Sequence, residues 1–226
     1  MIAQVNGVDI FYEDNGTGPA IVLLHGNGED HTIFDKLTES LADRYRVIAV
    51  DSRDHGLSTR NKKGEELHYS DMAEDIVQLI EQLQLEKPAL YGFSDGGILG
   101  LLIAEKYPGL LNCLMVSGAN TNPKAVKFWL RWSLAVLCLF TPLPKLRMML
   151  REPQIDSTAL ASITIPVLVL AGQKDLVLEA DTRLIAGSIP RAILQIVPGE
   201  GHGSYIVHSE KLHGLLAPFL SEHCGK

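Results

Sequence analysis

The feature that most constrains the fold is a serine between an apolar strand pattern and an apolar helix pattern. Apolar residues flank it at 89–91 and 98–104, and the turn between them reads Gly-Phe-Ser-Asp-Gly-Gly. A turn this tight leaves no room for a Cβ atom where neighbouring backbone passes, so we expect Gly92 and Gly96 to be required. A pattern as short as Gly-x-Ser-x-Gly also arises by chance, so it needs support from motifs elsewhere in the chain. With that support, it predicts a strand–turn–helix unit that exposes Ser94 at the end of a sheet.

The apolar runs along the chain predict an α/β fold with a mostly parallel central sheet. Residues 2–5 and 8–12 alternate around Asn6-Gly7, which favours an antiparallel hairpin followed by a polar loop at 13–19. Continuous apolar runs, typical of strands buried on both faces, follow at 20–24, 45–50, 89–91, 113–118, 165–172 and 192–197. Helical patterns separate several of them, at 33–43 and after a cap at Ser70 or Asp71. Strands alternating with helices indicate βαβ units.

Length and charge limit the class of protein. A chain of 226 residues with 46% hydrophobic residues is expected to form one domain, 1–226. Its net charge of −7 argues against a nucleic-acid-binding surface and favours a small-molecule partner. The N-terminus lacks the basic region and apolar run of a signal peptide, and the longest apolar run, 126–140, is too short for a membrane span.

The cysteines bear on compartment and on metal binding. Cys113, Cys138 and Cys224 are odd in number and lack metal-ligand spacing. This pattern predicts free thiols in a reducing compartment and no metal site. Together with the N-terminus, it predicts a cytoplasmic location.

Residues 121–164 interrupt the alternation of strands and helices. They contain an apolar stretch at 128–140 and then a basic stretch punctuated by proline. A helix that is apolar on nearly every side must be covered on most of them. We predict that 121–164 is a reduced cap inserted between core strands and lying over the active site. A homodimer through this apolar cap and a contact with a membrane surface are the alternatives.

Two further residues complete a candidate constellation around Ser94. Asp175 lies just past the predicted strand 165–172, and His202 lies just past the predicted strand 192–197. Along the chain, the serine comes first, the acid second and the histidine third, which is the order in which a nucleophile elbow is followed by its triad partners. The sequence offers no second acid after the strand 113–118. We therefore predict a catalytic triad of Ser94, Asp175 and His202.

These motifs resemble the α/β-hydrolase superfamily across nearly the whole chain. The resemblance rests on the triad residues and on residues 25–28, which read His-Gly-Asn-Gly, 51–58 and 92–97. Residues 92–97 and 117–120 look like the valacyclovir-hydrolase (biphenyl-hydrolase-like) branch. The resemblance implies the α/β-hydrolase fold, with a mostly parallel central sheet, helices on both faces and a short helical cap. A short cap, and Asp54 where such proteins commonly have glycine, bear on substrate scope rather than on chemistry.

The resemblance also assigns roles. His202 takes the proton of Ser94 as its Oγ attacks a carbonyl, while Asp175 holds the imidazole in the useful tautomer. The backbone N–H groups of Asn27 and Asp95 are expected to form the oxyanion hole. No metal and no organic cofactor is needed for this chemistry.

The side chain of Asp95 has two possible roles. The biphenyl-hydrolase-like branch uses a carboxylate directly after the nucleophile to recognise a substrate α-amino group, which makes Asp95 a candidate substrate-binding residue. Alternatively, the carboxylate joins a local hydrogen-bond network. His25 and His55 are expected to brace loops rather than to act as bases.

The sequence thus predicts a serine hydrolase that cleaves a small carboxylic ester through an acyl-enzyme on Ser94, with an α-amino-acid ester as one candidate substrate. Two alternatives use the same fold and triad. One is a cofactor-free perhydrolase or C–C bond hydrolase. The other is a ligand-binding receptor with slow turnover.

Overall fold

A single eight-stranded sheet organises the computed structural model, which describes residues 1–59, 65–141 and 143–224. The strand order is β1-β2-β4-β3-β5-β6-β7-β8; β1 and β2 run antiparallel to their neighbours, and β3 to β8 run parallel. This confirms the prediction of a mostly parallel α/β sheet. The strands are β1 (Ile2–Val5), β2 (Val8–Asn15), β3 (Ala20–Leu24), β4 (Arg46–Val50), β5 (Ala89–Phe93), β6 (Cys113–Ser117), β7 (Val167–Gly172) and β8 (Ala192–Val197).

Strand β2 is longer than the sequence predicts. The prediction of a polar loop at 13–19 was wrong for its first three residues, because β2 continues to Asn15 by pairing with β4. The carboxylate of Asp14 accepts two hydrogen bonds from Arg46, at 3.0 Å from Nε and 2.7 Å from Nη2. A tertiary contact therefore holds a polar segment in the sheet, and local composition does not reveal it.

Helices cover both faces of the sheet, as predicted. They are α1 (Asp35–Leu41), α2 (Tyr69–Gln82), α3 (Asp95–Lys106), α4 (Phe128–Phe140), α5 (Pro144–Arg151), α6 (Ser157–Ala161), α7 (Glu179–Ser188) and α8 (Lys211–His223). The helix predicted at 33–43 is in part a 3₁₀ turn, His31–Phe34, followed by α1. Helices α1 and α8 pack on one face of the sheet, and α2, α3 and α7 contribute to the core on the other.

The start of α2 also differs from the prediction. Ser70 and Asp71 lie inside the helix, which begins at Tyr69 without a side-chain cap from the preceding His68. Instead, the backbone N–H of Tyr69 donates a hydrogen bond of 3.1 Å to Glu152. A carboxylate from a distant segment thus satisfies a donor that a local cap usually satisfies.

Residues 121–164 form the 3₁₀ turn Pro123–Ala125 and helices α4, α5 and α6. Leu160 and Ile163 from the end of this segment join the core, whereas α4 has no buried residue. Among the described residues, no helix combines the length and the apolar character needed to cross a membrane.

Candidate active site

Ser94 occupies the turn between β5 and α3 in a strained conformation, with φ 52° and ψ −113°. Two glycines make this turn possible. A Cβ atom on Gly92 would lie 2.1 Å from the carbonyl oxygen of Gly96, and one on Gly96 would lie 2.2 Å from that of Leu24. Both positions therefore exclude any side chain, as the sequence predicts. Strain of this kind is maintained where the surrounding structure supports a functional geometry.

The topology brings together the three residues predicted as a triad. Ser94 follows β5, Asp175 follows β7 and His202 follows β8, so all three lie at the carboxyl ends of parallel strands. The Oγ of Ser94 is 3.1 Å from Nε2 of His202, and Nδ1 of His202 is 2.6 Å from Oδ1 of Asp175. With the Nδ1 proton donated to Asp175, Nε2 is free to accept the proton of Ser94.

Asp175 is buried and held by several donors. The backbone N–H of Gly172 donates to one oxygen at 3.2 Å and that of Val177 to the other at 3.0 Å. Burial by itself raises the pKa of Asp175, but the hydrogen bond and charge of His202 and these backbone donors outweigh it, and the pKa is lowered. The carboxylate is therefore charged and fixed in orientation, as a residue that orients an imidazole must be.

Gly118, which follows β6, makes room for the imidazole. Its φ is +61°, and a Cβ atom there would lie 2.7 Å from Cε1 and 2.9 Å from Nδ1 of His202. Sequence reasoning placed Gly118 at the end of the predicted strand 113–118 and noted residues 117–120 as part of a family resemblance, but it assigned Gly118 no role. The requirement for glycine arises from the order of strands, since β6 lies between β5 and β7, and a single sequence gives no direct sign of it.

The loop after β3 lies against the serine turn. The carbonyl oxygen of His25 accepts the backbone N–H of Gly96 at 3.1 Å, and Nε2 of His25 accepts that of Ser52 at 3.1 Å. Burial lowers the pKa of His25. His25 is thus placed to brace two loops, as expected, and it is a poor candidate for a base.

The predicted oxyanion-hole residues, Asn27 and Asp95, both line the cavity that contains Ser94. The backbone N–H of Asp95 is the first of α3, where a helix leaves its donors without intrahelical partners. The positive end of the helix dipole lies at the same point, and it favours a developing negative charge.

The carboxylate of Asp95 joins a local network. One oxygen accepts a hydrogen bond of 2.9 Å from the side chain of Asn27, and the other accepts one of 2.8 Å from the hydroxyl of Tyr69. Burial raises the pKa of Asp95, and these two hydrogen bonds oppose the rise. The network expected as one alternative is therefore present, and Asp95 also lines the cavity.

The cavity at Ser94 has a volume of about 180 Å³, which suits a small substrate. Core loops and the cap segment both contribute to its walls. The lining residues are Gly26, Asn27, Glu29, Tyr69, Phe93, Ser94, Asp95, Asn120, Val126, Leu130, Met149, Glu152, Leu176, Val177 and His202.

Two carboxylates in this cavity escaped sequence reasoning. Glu29 accepts the backbone N–H of Gly26 at 3.1 Å, and burial raises its pKa. Glu152, from the cap segment, is 2.6 Å from Nδ1 of His68 and accepts the N–H of Tyr69. Neither belongs to a recognisable motif. Their approach to Asp95 depends on how the loop after β3 and the cap fold over the sheet.

One group of side chains among the described residues has the proximity of metal ligands, namely Asp30, His31 and Asp51. Asp51 is fully buried and already accepts hydrogen bonds from the backbone N–H groups of His31 and Leu57, each at 2.7 Å. Its oxygens are thus committed to holding two loops together, and the group is explained without an ion.

Comparison with known proteins extends these observations. The family model of the alpha/beta hydrolase fold matches residues 19–139, more than half of the chain. The chain belongs to the alpha/beta hydrolase family. The AB hydrolase superfamily protein YisY of Bacillus subtilis is 28% identical over 260 aligned residues, which cover 94% of this chain and 95% of YisY.

The serine hydrolase BPHL of Mus musculus is 37% identical over 120 residues, which cover 51% of this chain and 41% of that protein. An esterase structure from Thermogutta terrifontis superposes with a TM-score of 0.83 at 23% identity and covers 99% of both chains, a likeness that shows the fold. The predicted superfamily and fold are confirmed. The relatives are named hydrolases, and this alpha/beta hydrolase is a hydrolytic enzyme.

Proposed function

We propose that this alpha/beta hydrolase cleaves a small carboxylic ester through an acyl-enzyme on Ser94. The observation that supports the proposal is the hydrogen-bonded chain from Ser94 through His202 to Asp175, at 3.1 and 2.6 Å, beside a cavity of about 180 Å³. This arrangement activates a serine hydroxyl, because the imidazole is held in the tautomer that accepts its proton.

In the first half of the reaction, the Oγ of Ser94 attacks the ester carbonyl and its proton moves to Nε2 of His202. The tetrahedral intermediate collapses to the acyl-enzyme, and His202 gives the proton to the departing alcohol. In the second half, water attacks the acyl group, loses a proton to His202 and releases the acid. Ser94 recovers its proton from His202 at the end.

The negative charge on the carbonyl oxygen in both halves needs donors. We assign this role to the backbone N–H groups of Asn27 and Asp95, since both residues line the cavity that contains Ser94. One such donor is worth about 3 to 4 kcal/mol of transition-state stabilisation. Because the donors are backbone groups, substitution of either side chain tests the substrate interactions rather than the oxyanion hole.

The cavity favours a substrate that carries a positive charge. Three carboxylates line it, from Glu29, Asp95 and Glu152, and its described lining residues include no lysine or arginine. Asp95 directly follows the nucleophile and lines the same cavity. We therefore propose α-amino-acid esters as the substrate class and Asp95 as the residue that binds the ammonium group.

The cap and the compartment belong to the same proposal. We treat residues 121–164 as a reduced cap within a single domain, since Val126, Leu130, Met149 and Glu152 contribute to the cavity wall.

We place the enzyme in the cytoplasm because its cysteines are free thiols, as is usual in a reducing compartment.

The test compares matched p-nitrophenyl esters with and without a free α-amino group. Wild type is expected to prefer the amino ester, and Asp95→Asn to lose this preference while it still hydrolyses the simple ester. Tyr69→Phe removes a donor to Asp95 and is expected to reduce the preference by about fivefold, the effect of one hydrogen bond. Glu105→Gln, an exposed carboxylate on the same helix as Asp95, is the matched control.

A fluorophosphonate probe tests the nucleophile separately. It is expected to label wild type and to leave Ser94→Ala unlabelled. Equal turnover of both esters in wild type and Asp95→Asn would remove the amino-ester proposal and leave a general carboxylesterase. If wild type is labelled but hydrolyses neither ester, perhydrolase or C–C bond hydrolase chemistry is favoured. Failure of labelling would favour a ligand-binding receptor.

A further inference from the structure

Helix α4 exposes a large apolar face. None of its residues is buried, and its outward side is formed by aromatic and aliphatic side chains. The exposed fractions are 70% for Phe128, 58% for Trp129, 62% for Trp132, 80% for Leu139 and 82% for Phe140. Four of these five are aromatic, and an aromatic side chain buries roughly 150 to 250 Å² when it is covered. Contiguous apolar patches larger than a few hundred Å² mark interaction sites.

The other side of α4 faces the active site. Leu130 lines the cavity that contains Ser94, while Phe128 and Trp132 point to the opposite side of the helix. The exposed face is therefore not the wall of the substrate cavity. It is a second surface on the same helix. We call this surface, which is formed by Phe128, Trp129, Trp132, Leu139 and Phe140, the outer face of α4.

The segment that carries the outer face has a charge opposite to that of the rest of the protein. Residues 121–164 contain six basic and two acidic side chains, a net charge of +4, which leaves −11 for the remainder of a chain whose total is −7. The basic residues are Lys124, Lys127, Arg131, Lys145, Arg147 and Arg151. Lys124 and Arg131 line a groove that adjoins α4. Cationic side chains thus flank an apolar aromatic helix.

We propose that the outer face of α4 docks on the surface of an anionic phospholipid bilayer. At 13 residues the helix is about 20 Å long, so it lies in the interface rather than across the membrane. Tryptophan is favoured at the boundary between headgroups and acyl chains, where Trp129 and Trp132 would insert. Lys124 and Arg131 would contact lipid phosphates, and each basic residue near such a surface strengthens binding.

A second copy of the chain fits this surface less well. A homodimer through the outer face, one of the expectations from the sequence, would bring two segments of charge +4 together. Like charges across an interface oppose association, whereas an anionic surface attracts the same segment. The charge pattern therefore favours the lipid over the dimer.

The chain carries its own reporter for the test. It contains two tryptophans, Trp129 and Trp132, and both lie on the outer face of α4. Addition of phosphatidylcholine vesicles that contain phosphatidylglycerol is expected to shift their emission to shorter wavelength and to sediment the protein. Pure phosphatidylcholine vesicles should do so weakly, and added salt should reduce the effect because it screens the attraction.

Two exposed residues of the outer face provide the first variant. Trp132→Ser with Phe140→Ser is expected to weaken vesicle binding by about tenfold or more, since both apolar contacts are lost. The matched control is Leu184→Ser with Ile193→Ser, which removes exposed apolar side chains of 47% and 51% exposure from outside the cap. This control should bind vesicles as wild type does.

Charge reversal provides the second variant. Lys124→Glu with Arg131→Glu is expected to weaken binding to anionic vesicles by about tenfold or more. The matched control, Lys87→Glu with Arg191→Glu, makes the same change in net charge at exposed positions outside the cap. A selective effect of the first pair separates local attraction from the overall charge of the protein.

Absence of binding to anionic vesicles would overturn the proposal. So would equal binding to neutral vesicles, or equal weakening by a control pair. A concentration-dependent blue shift without vesicles, together with dimers in sedimentation equilibrium, would assign the outer face to a second copy instead. These readouts measure binding only, so they do not depend on whether an ester is hydrolysed.

Discussion

Gly118→Ala is the substitution whose effect follows most directly from the geometry of the site. The new Cβ atom would lie 2.7 Å from Cε1 of His202. A normal carbon–carbon contact is about 3.5 Å, so the imidazole must move by roughly 0.8 Å. The same ring makes the hydrogen bonds of 2.6 Å to Asp175 and 3.1 Å to Ser94, so the displacement disturbs the alignment of both.

The size of the effect on rate comes from this displacement. A misplacement of about 1 Å in a catalytic group costs about 10²-fold in rate, so kcat of Gly118→Ala should fall by about 100-fold. KM should change little, because Gly118 does not line the cavity. The substitution also forces alanine to adopt φ +61°, which costs about 1 to 2 kcal/mol in stability.

A matched glycine separates the clash from the backbone strain. Gly109 has φ +87° and nothing within 4 Å of an added Cβ atom, so Gly109→Ala carries the strain alone. Both variants should lose about 2 to 8 °C in Tm, but only Gly118→Ala should lose activity. Steady-state kinetics and thermal unfolding give the two readouts. If Gly118→Ala keeps the kcat of wild type, the imidazole is not confined as described.

Two further predictions concern a pair at the cap and the cysteines. The hydrogen bond to Glu152 raises the pKa of His68 in the folded protein. The pair therefore contributes its whole stabilisation below about pH 6.5, the ordinary pKa of histidine, and this stabilisation is lost as the pH rises through the raised pKa of His68. A double-mutant cycle by urea unfolding should give about 0.2 to 1 kcal/mol of coupling in mild acid and none in alkali. Cys113 and Cys224 are buried with their sulfurs 2.7 Å apart, and Cys138 is partly exposed. Ellman's reagent should therefore titrate one thiol in native protein and all three in denaturant; rapid native reaction of all three would contradict this burial.

The sequence predicted the parts of the fold that local pattern determines. Continuous apolar runs indicated strands, and the structure has strands at Ala20–Leu24 and Ala192–Val197, with the predicted bounds. The expected burial on both faces was wrong for Ala192–Val197, because β8 lies at the edge of the sheet and is only partly buried. Asn6-Gly7 predicted the first hairpin, and these residues have φ of 47° and 78°. Ser94, Asp175 and His202, each placed just past a predicted strand, were predicted to form a triad, and the carboxyl ends of parallel strands share one edge of the sheet.

What the sequence missed depends on contacts between distant segments. The end of β2 is held by Arg46, and the start of α2 is satisfied by Glu152 rather than by Ser70 or Asp71. Glu29 and Glu152 reach the cavity only after loops close over it. A polar residue in a loop has the same local sequence pattern whether its side chain faces solvent or a binding site. The contributions of Glu29 and Glu152 to the cavity could therefore not be predicted from that pattern.

The spread of the candidate triad along the chain has a consequence for folding. Ser94 and His202 are 108 residues apart, and three strands, β6, β7 and β8, must add to the sheet between them before they meet. Pairing over such sequence separations is slow compared with the formation of local helices. Recovery of hydrolysis after dilution from denaturant should therefore trail the recovery of helical circular dichroism. During synthesis, a chain whose β8 is still unfinished contains the proposed nucleophile Ser94 but lacks the proposed base His202. On the proposed mechanism, such a chain is inert until its last strand is in place.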